Sequence, residues 1–310
     1  LYEYSDTAAV IMEENIDQQD KITWLECERG QVVAVASSAL DAGQVLNERL
    51  YHKLESLVMV SATLAIEESF DYFLARSGLN SFNGDERVNT LLQQSPFNYE
   101  EQARLFIIND IPEPGERSFA ETVAGVLEEL FIVMGGQVLV LFTARSQLKD
   151  IAAMLRPDCD FNGIKLLVQY EDGEFSHLVD EFIHSSRSVL MGLETFWEGI
   201  DLKGEILKCV VIVRLPFRPP ADPYCSAADR YCRLQNKNSF QHFMLPDAAV
   251  RFKQGTGRLI RSEEDRGFVV VLDSRLERKS YGRVFKNSIP IKDILLLDRK
   301  QLPEYIKDFL

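Results

Sequence analysis

From about residue 104 onward, short unbroken apolar runs alternate with amphipathic stretches, and this alternation predicts the elements. Residues 105–108, 138–142, 164–168, 188–191, 208–213 and 267–272 are apolar runs of strand length. Between them, 119–134, 147–155 and 176–184 space their apolar residues as helices do. Gly135 supplies a stop for the first of these helices, and Pro157 is expected to end the second. Strands with no polar face suit a parallel sheet covered by helices on both sides. The expected class is therefore α/β.

The N-terminal part reads differently. Residues 22–27 and 31–36 form a predicted hairpin joined through Gly30. Asp41 can cap a helix running to about residue 56. The run 57–60 is expected to be a short buried strand ending in Ser61-Ala62-Thr63, and a helix from 66 to 76 stops near Gly78. Residues 80–98 are polar and turn-rich, so a boundary is placed there, giving domains of 1–80 and 81–310.

Composition narrows the possibilities. With 46% hydrophobic and 26% charged residues, the chain is a globular one with room for about two domains. No apolar run approaches the roughly 18 residues of a membrane span, so no membrane partner is expected, and the scattered cysteines make a reducing cytoplasm the default. The five cysteines are scattered and contain no CxxC, which gives neither a zinc site nor the four clustered thiolates of an iron–sulfur centre. The net charge of −14 excludes a protein that coats nucleic acid. The charge is uneven, however: residues 1–30 hold eight acids and two bases, and residues 251–286 hold ten bases and five acids. A basic surface confined to one region suits a strand-binding groove or a nucleotide pocket.

Several stretches could carry chemistry. Residues 251–273 read as a helix bearing Gln254, Arg258 and Arg261, an acidic turn, and an apolar strand. Spacings of four and three would place the three heads on one helical face. Two permanent cations beside an amide suit a triphosphate, although two arginines also occur on ordinary solvated faces. Gly255 and Gly257 in that helix imply close approach by some other group. The loop after 188–191 holds Thr195, Trp197, Glu198, Gly199 and Asp201 at the carboxyl end of a strand, where open α/β sheets place ligands; Phe196 there reads as a core anchor. Thr143, Arg145 and Ser146 directly follow another strand, in what is equally an ordinary turn with a capping hydroxyl. Ser61 and Thr63 fit either an active edge or a helix cap, and 213–224, with four prolines, is a rigid exit loop. Asp180–His184 imitates a magnesium-binding DEAH box but falls in a predicted helix. There is no GxxxxGK[ST] to cradle phosphates, no HExxH and no GxSxG.

In order along the chain stand SATL at 61–64, SPFNY at 95–99, VLFTARSQL at 140–148, FWEGIDL at 196–202, RLPFRPPADP at 214–223, QGTGRLIR at 254–261, LDSR at 272–275 and YGRVF at 281–285. Together they resemble superfamily 2 DNA helicases of the DinG and XPD type, including Gram-positive relatives that fuse an exonuclease domain to the helicase region. The resemblance implies a RecA-like parallel sheet with helices on both faces: a second motor domain at 81–310 and a C-terminal remnant of the first at 1–80. It implies ATP and Mg2+ shared with a first domain, single-stranded DNA as partner, and movement 5′ to 3′. By the same resemblance, Arg258 and Arg261, supported by Gln254, would reach the γ-phosphate. Glu198, Gly199 and Asp201 would touch the nucleotide, and Ser61, Thr63, Thr143, Ser146 and Thr195 would contact or couple to DNA. Walker A and B elements are missing, and so are iron–sulfur cysteines. The expectation is thus the C-terminal part of a helicase that hydrolyses no ATP alone and whose partners include an N-terminal helicase domain of the same parent. The alternatives are a non-catalytic single-strand-binding module, or the substrate-handling part of a 3′–5′ exonuclease.

Overall fold

The computed structural model describes residues 21–28, 30–82, 87–198 and 206–309, with Glu28 and Glu198 described by backbone alone. They form two compact units. One comprises Leu1–Leu92 with Phe217–Asp247, and the other Gln93–Pro216 with Ala248–Leu310.

In the first unit, β1 (Lys21–Glu28) and β2 (Gln31–Ala39) pair antiparallel, as the pattern predicts. Asp41 caps the Ala42–Arg49 helix by accepting from the Gly43 N–H at 2.9 Å. Ile22 and Leu40 pack against Ala227, Ala228, Cys232 and Phe243 in a small core. The segment 217–247 therefore does more than leave a strand. Asp222 caps a Pro223–Leu234 helix by accepting the Tyr224 N–H at 2.8 Å, with Pro223 at the first turn where its missing N–H costs nothing.

Three expectations fail in this unit. The helix capped by Asp41 ends at Arg49 rather than near residue 56. Residues 57–60 form no strand, and Val58 and Val60 are 83% and 89% exposed. Their apolar run fits an interior strand of a parallel sheet, but no described strand pairs with it. The helix expected from residue 66 begins only at Asp71, because Ile66–Ser69 closes a tight turn with Glu67 and Glu68 at positive φ.

The second unit is built on a seven-stranded sheet. Its members are β3 (Ala103–Ile108), β4 (Val138–Leu141), β5 (Lys165–Val168), β6 (Ser188–Gly192), β7 (Cys209–Ile212), β8 (Gly267–Val271) and β9 (Ile294–Leu297). Every pairing is parallel, in the order β5-β6-β4-β7-β8-β3-β9. Along β4, Val138 and Val140 join the core made with helices Phe119–Met134, Arg145–Phe161 and Leu302–Phe309, while the alternate Leu139 and Leu141 are equally buried. Burial of both strand faces explains why the runs carry no polar alternation. Gly135, at φ +68°, ends the Phe119–Met134 helix as expected.

Pro157 does not end its helix, which runs from Arg145 to Phe161. The turn beyond the proline is retained because it buries Cys159, whose carbonyl accepts the Ile164 N–H at 2.8 Å. Asp180–His184 does lie in a helix, Phe175–His184. No helix among the described residues is long and apolar enough to cross a membrane.

Candidate functional site

The carboxyl edge of the sheet gathers several of the predicted residues. In the register across β6, β4, β7 and β8, Gly192, Leu141, Ile212 and Val271 stand side by side. Thr143, Arg214 and Asp273 each follow the end of their strand by two residues, so three neighbouring strands deliver them at one level. Thr143 is half-buried, and Ser146 is exposed in the first turn of the Arg145–Phe161 helix. That helix has no side-chain cap, since Ala144 occupies the cap position; neither hydroxyl is used in the ordinary capping role.

The segment after β6 is a short helix, Glu194–Glu198, rather than a loop. Two buried aromatic rings fix it. Phe196 packs against Phe175 with ring centroids 4.8 Å apart, and Trp197 donates its indole N–H to the Phe142 carbonyl at 3.1 Å. Thr195 is exposed, with its hydroxyl accepting from Gln169 Nε2 at 2.8 Å. Buried Gln169 also accepts the Leu193 N–H at 2.7 Å, tying the end of β5 to the end of β6. Gln169 was missed from the sequence, although a lone glutamine directly after an apolar strand is a signal for such a bridge. Beside it, Tyr170 stands exposed at φ +72° with the Arg145 guanidinium 4.4 Å from its ring centroid. Gly199 and Asp201 lie outside the described residues, as does the side chain of Glu198.

The basic stretch departs from its expected shape. The helix is Leu245–Thr256; Arg258 lies in the turn that follows, and Arg261 in irregular chain beyond it. Gln254, Arg258 and Arg261 therefore do not share a helical face. The helix stops because Thr256 Oγ1 bonds back to the Lys253 carbonyl at 3.1 Å while the chain tightens through Gly257 and Arg258. What holds the arginines is a set of local bonds. Arg258 donates from Nε and Nη2 to the Trp197 carbonyl at 3.1 and 2.8 Å. Buried Asp265 accepts the Arg261 and Ser262 N–H groups on one oxygen at 2.7 and 2.8 Å. Buried Gln102 donates to the Ser262 and Asp265 carbonyls, each at 2.9 Å. Asp265 had read only as part of an acidic turn, and Gln102 gave no signal.

Gly255 does record a close approach, but by the protein itself. A Cβ there would stand 2.8 Å from the Trp197 indole and 3.1 Å from Leu141 Cδ1. Gly255→Ala gains about 1 kcal/mol of helix propensity against an overpacking cost of about 1–3 kcal/mol. A net loss of stability is expected, and thermal denaturation checks it; an alanine variant that melts at or above the wild type would contradict the packing.

Chemically, the Gln254–Arg261 stretch offers donors to an anion. The Gln254 side-chain oxygen is buried with no hydrogen-bond partner among the described residues. Among the described residues no group of three His, Cys, Asp or Glu could hold a metal ion. The donor set fits nucleotide phosphate oxygens rather than the metal itself. Ser61 and Thr63 belong to the other unit, where their hydroxyls lie 3.2 Å apart and Ser61 Oγ accepts the Thr63 N–H.

Residues 127–292, more than half of the chain, match the family described as the helicase C-terminal domain. The chain belongs to this family. The branch is that of the DinG and XPD helicases. The chain is 34% identical over 294 residues to the 3′-5′ exonuclease DinG of Bacillus subtilis, covering 93% of this chain and 31% of that protein. It is 32% identical over 275 residues to the ATP-dependent DNA helicase YoaA of Escherichia coli, covering 89% of this chain and 42% of that protein. An XPD helicase structure superposes with a TM-score of 0.63 at 18% identity over 93% of this chain and 49% of its own, which establishes a RecA-like fold. The chain thus spans between about a third and a half of the relatives it matches. The family match takes in Thr143, Ser146, Thr195, Gln254, Arg258 and Arg261, while Ser61 and Thr63 precede it.

Proposed function

We propose that this chain is the second motor half of an ATP-dependent DNA helicase of the DinG and XPD type. In this reading ATP and Mg2+ are held by a first RecA-like domain of the same protein, and Arg258 and Arg261 reach the γ-phosphate from this one. Gln254 supports the phosphate contact, with Glu198, Gly199 and Asp201 completing the nucleotide side. Single-stranded DNA lies along the carboxyl edge at Thr143, Ser146 and Thr195, with Ser61 and Thr63 coupling from residues 1–80, and the motor moves 5′ to 3′. The exposed apolar run at 57–60 is then a strand awaiting its sheet in the first domain.

The observation that supports this best is the pair of hydrogen bonds that the Arg258 guanidinium donates to the Trp197 carbonyl. It ties the cation proposed to sense phosphate to the short helix that carries Thr195, 61 residues away in sequence. A displacement at one is therefore transmitted to the other through a charge-assisted contact. The relative named as a 3′-5′ exonuclease favours a second reading of the whole protein, in which the motor feeds a strand to a nuclease domain.

Filter binding tests the shared core of both readings. The chain is expected to retain a single-stranded oligonucleotide with an affinity that falls by about 0.7 logarithmic units per phosphate contact for each tenfold rise in salt, and to hydrolyse no ATP by itself. Failure to bind the oligonucleotide at low salt would overturn the assignment.

A further inference from the structure

Arg214 has been assigned no task so far, yet its setting is unusual for an arginine. It leaves β7 two residues beyond Ile212, between Thr143 after β4 and Asp273 after β8. Its Nε is buried with no hydrogen-bond partner among the described residues, and no carboxylate among them lies within ion-pair distance.

The one acid at hand is already saturated. Asp273, fully buried, accepts the Leu215 N–H at 2.8 Å and the Arg275 N–H at 3.1 Å. It also accepts Arg275 Nε at 2.9 Å and Nη2 at 2.6 Å. Four bonds use the roughly four lone-pair sites of a carboxylate, so none remains for Arg214. The other acid in the neighbourhood, Glu113, pairs with Lys279 at 3.2 Å. Among the described residues, Asp273 is thus the one carboxylate set against both Arg275 and Arg214, and Arg275 takes it. Burial and the neighbouring Arg275 guanidinium pull the Arg214 pKa below the ordinary arginine range, with Asp273 acting the other way. A guanidinium does not relieve such a position by losing its proton. Next to it, Ser274 Oγ is completely buried and likewise lacks a partner among the described residues.

We infer that Arg214 is a phosphate ligand, holding one backbone phosphodiester of a single-stranded nucleic acid where the strand crosses the ends of β4 and β7. The class of ligand follows from the chemistry. A buried donor with a surplus positive charge calls for an anion, and a fork of N–H groups suits phosphate oxygens. A strand, rather than a single small anion, follows from the row. Thr195, Thr143 and Arg214 follow three successive strands, about 10 Å of one edge at the usual strand spacing. This inference rests on the single-strand-binding reading above and extends its contact row past β4 to β7.

The test compares the wild type with Arg214→Met and Arg214→Lys in a protein that carries this chain together with a nucleotide-holding first domain, on an oligothymidylate over a range of salt, with ATP as a second probe. Arg214→Met is expected to weaken oligonucleotide binding and to reduce the slope of log K against log salt by about 0.7, the value for one phosphate on a single strand. Arg214→Lys should keep the slope while losing affinity, since it retains the charge but not the fork. Neither should change ATP binding. Arg214→Met should also melt no lower than the wild type, because a crowded cation has been removed. An unchanged slope in Arg214→Met while the wild type binds would overturn this inference alone. A loss confined to ATP, or a lowered melting temperature with the slope intact, would do the same. A wild-type chain that binds no oligonucleotide would overturn the underlying reading as well.

Discussion

Arg258→Ala is expected to lower DNA-stimulated ATP hydrolysis by about 10³-fold or more in a protein that carries this chain together with a nucleotide-holding first domain. An arginine that stabilises charge on a leaving phosphoryl group contributes about 10³ to 10⁵ in rate. The effect belongs to the transition state, because that is where charge on the γ-phosphate grows. Nucleotide affinity should therefore change far less than turnover. The structure adds a second reason for a large effect. Alanine deletes both bonds to the Trp197 carbonyl and so uncouples the short helix that bears Thr195. Arg258→Lys should not rescue, since one ammonium cannot reproduce the two-pronged contact. Steady-state turnover with and without single-stranded DNA, beside a nucleotide-binding titration, reads both parts. Full turnover in the alanine variant would remove Arg258 from the phosphate.

The second large effect concerns Asp265. Its alanine variant leaves the Arg261 and Ser262 N–H groups without their shared acceptor in a part-buried turn. A buried donor left unpaired costs about 1–3 kcal/mol, so for two part-buried donors a loss of about 2 kcal/mol is expected, or roughly 6 °C in melting temperature for a unit of this size. The remaining carboxylate oxygen, Oδ1, has no partner among the described residues. Asp265→Asn can then keep both bonds through its amide oxygen and should recover most of the loss. Denaturant titration of the two variants distinguishes this from a general intolerance of substitution. If alanine and asparagine cost the same, the shared-acceptor role is wrong. Because the turn positions Arg261, hydrolysis in the larger protein should fall in Asp265→Ala and return in Asp265→Asn.

These sites show what the chain discloses before it folds. Six of the seven strands of the second unit were legible because burial on both faces leaves apolar runs with no competing pattern; the edge strand β9, only partly buried, was not read. The order of motifs was legible because short, distinctive stretches stand beside those runs, RLPF directly after one and QGTGRLIR shortly before another. What was hidden depends on partners distant in sequence. Gly255 looked like room for a ligand, but the space belongs to the Trp197 ring. Arg258 and Arg261 looked helical by spacing, yet the Thr256 side chain and the tightening at Gly257 end the helix before either. Gln102 reaches Ser262 and Asp265 across some 160 residues, and no local pattern could announce that. Residues 57–60 mark the opposite limit: their apolar pattern is that of a buried strand, and the described chain provides no neighbour to bury it. Pro157 shows tertiary burial overriding a local rule, since Cys159 beyond it is held in the core.

The central claim is that this half of the motor supplies cations to a phosphate held elsewhere, at the moment the phosphoryl group departs. Trapping of ADP with aluminium fluoride, a mimic of that moment, measures it most directly in the larger protein with single-stranded DNA bound. The wild type is expected to hold the mimic far more tightly than ADP alone, and Arg258→Ala and Arg261→Ala are each expected to lose that preference while still binding ADP. Equal trapping by the wild type and both variants would contradict the account.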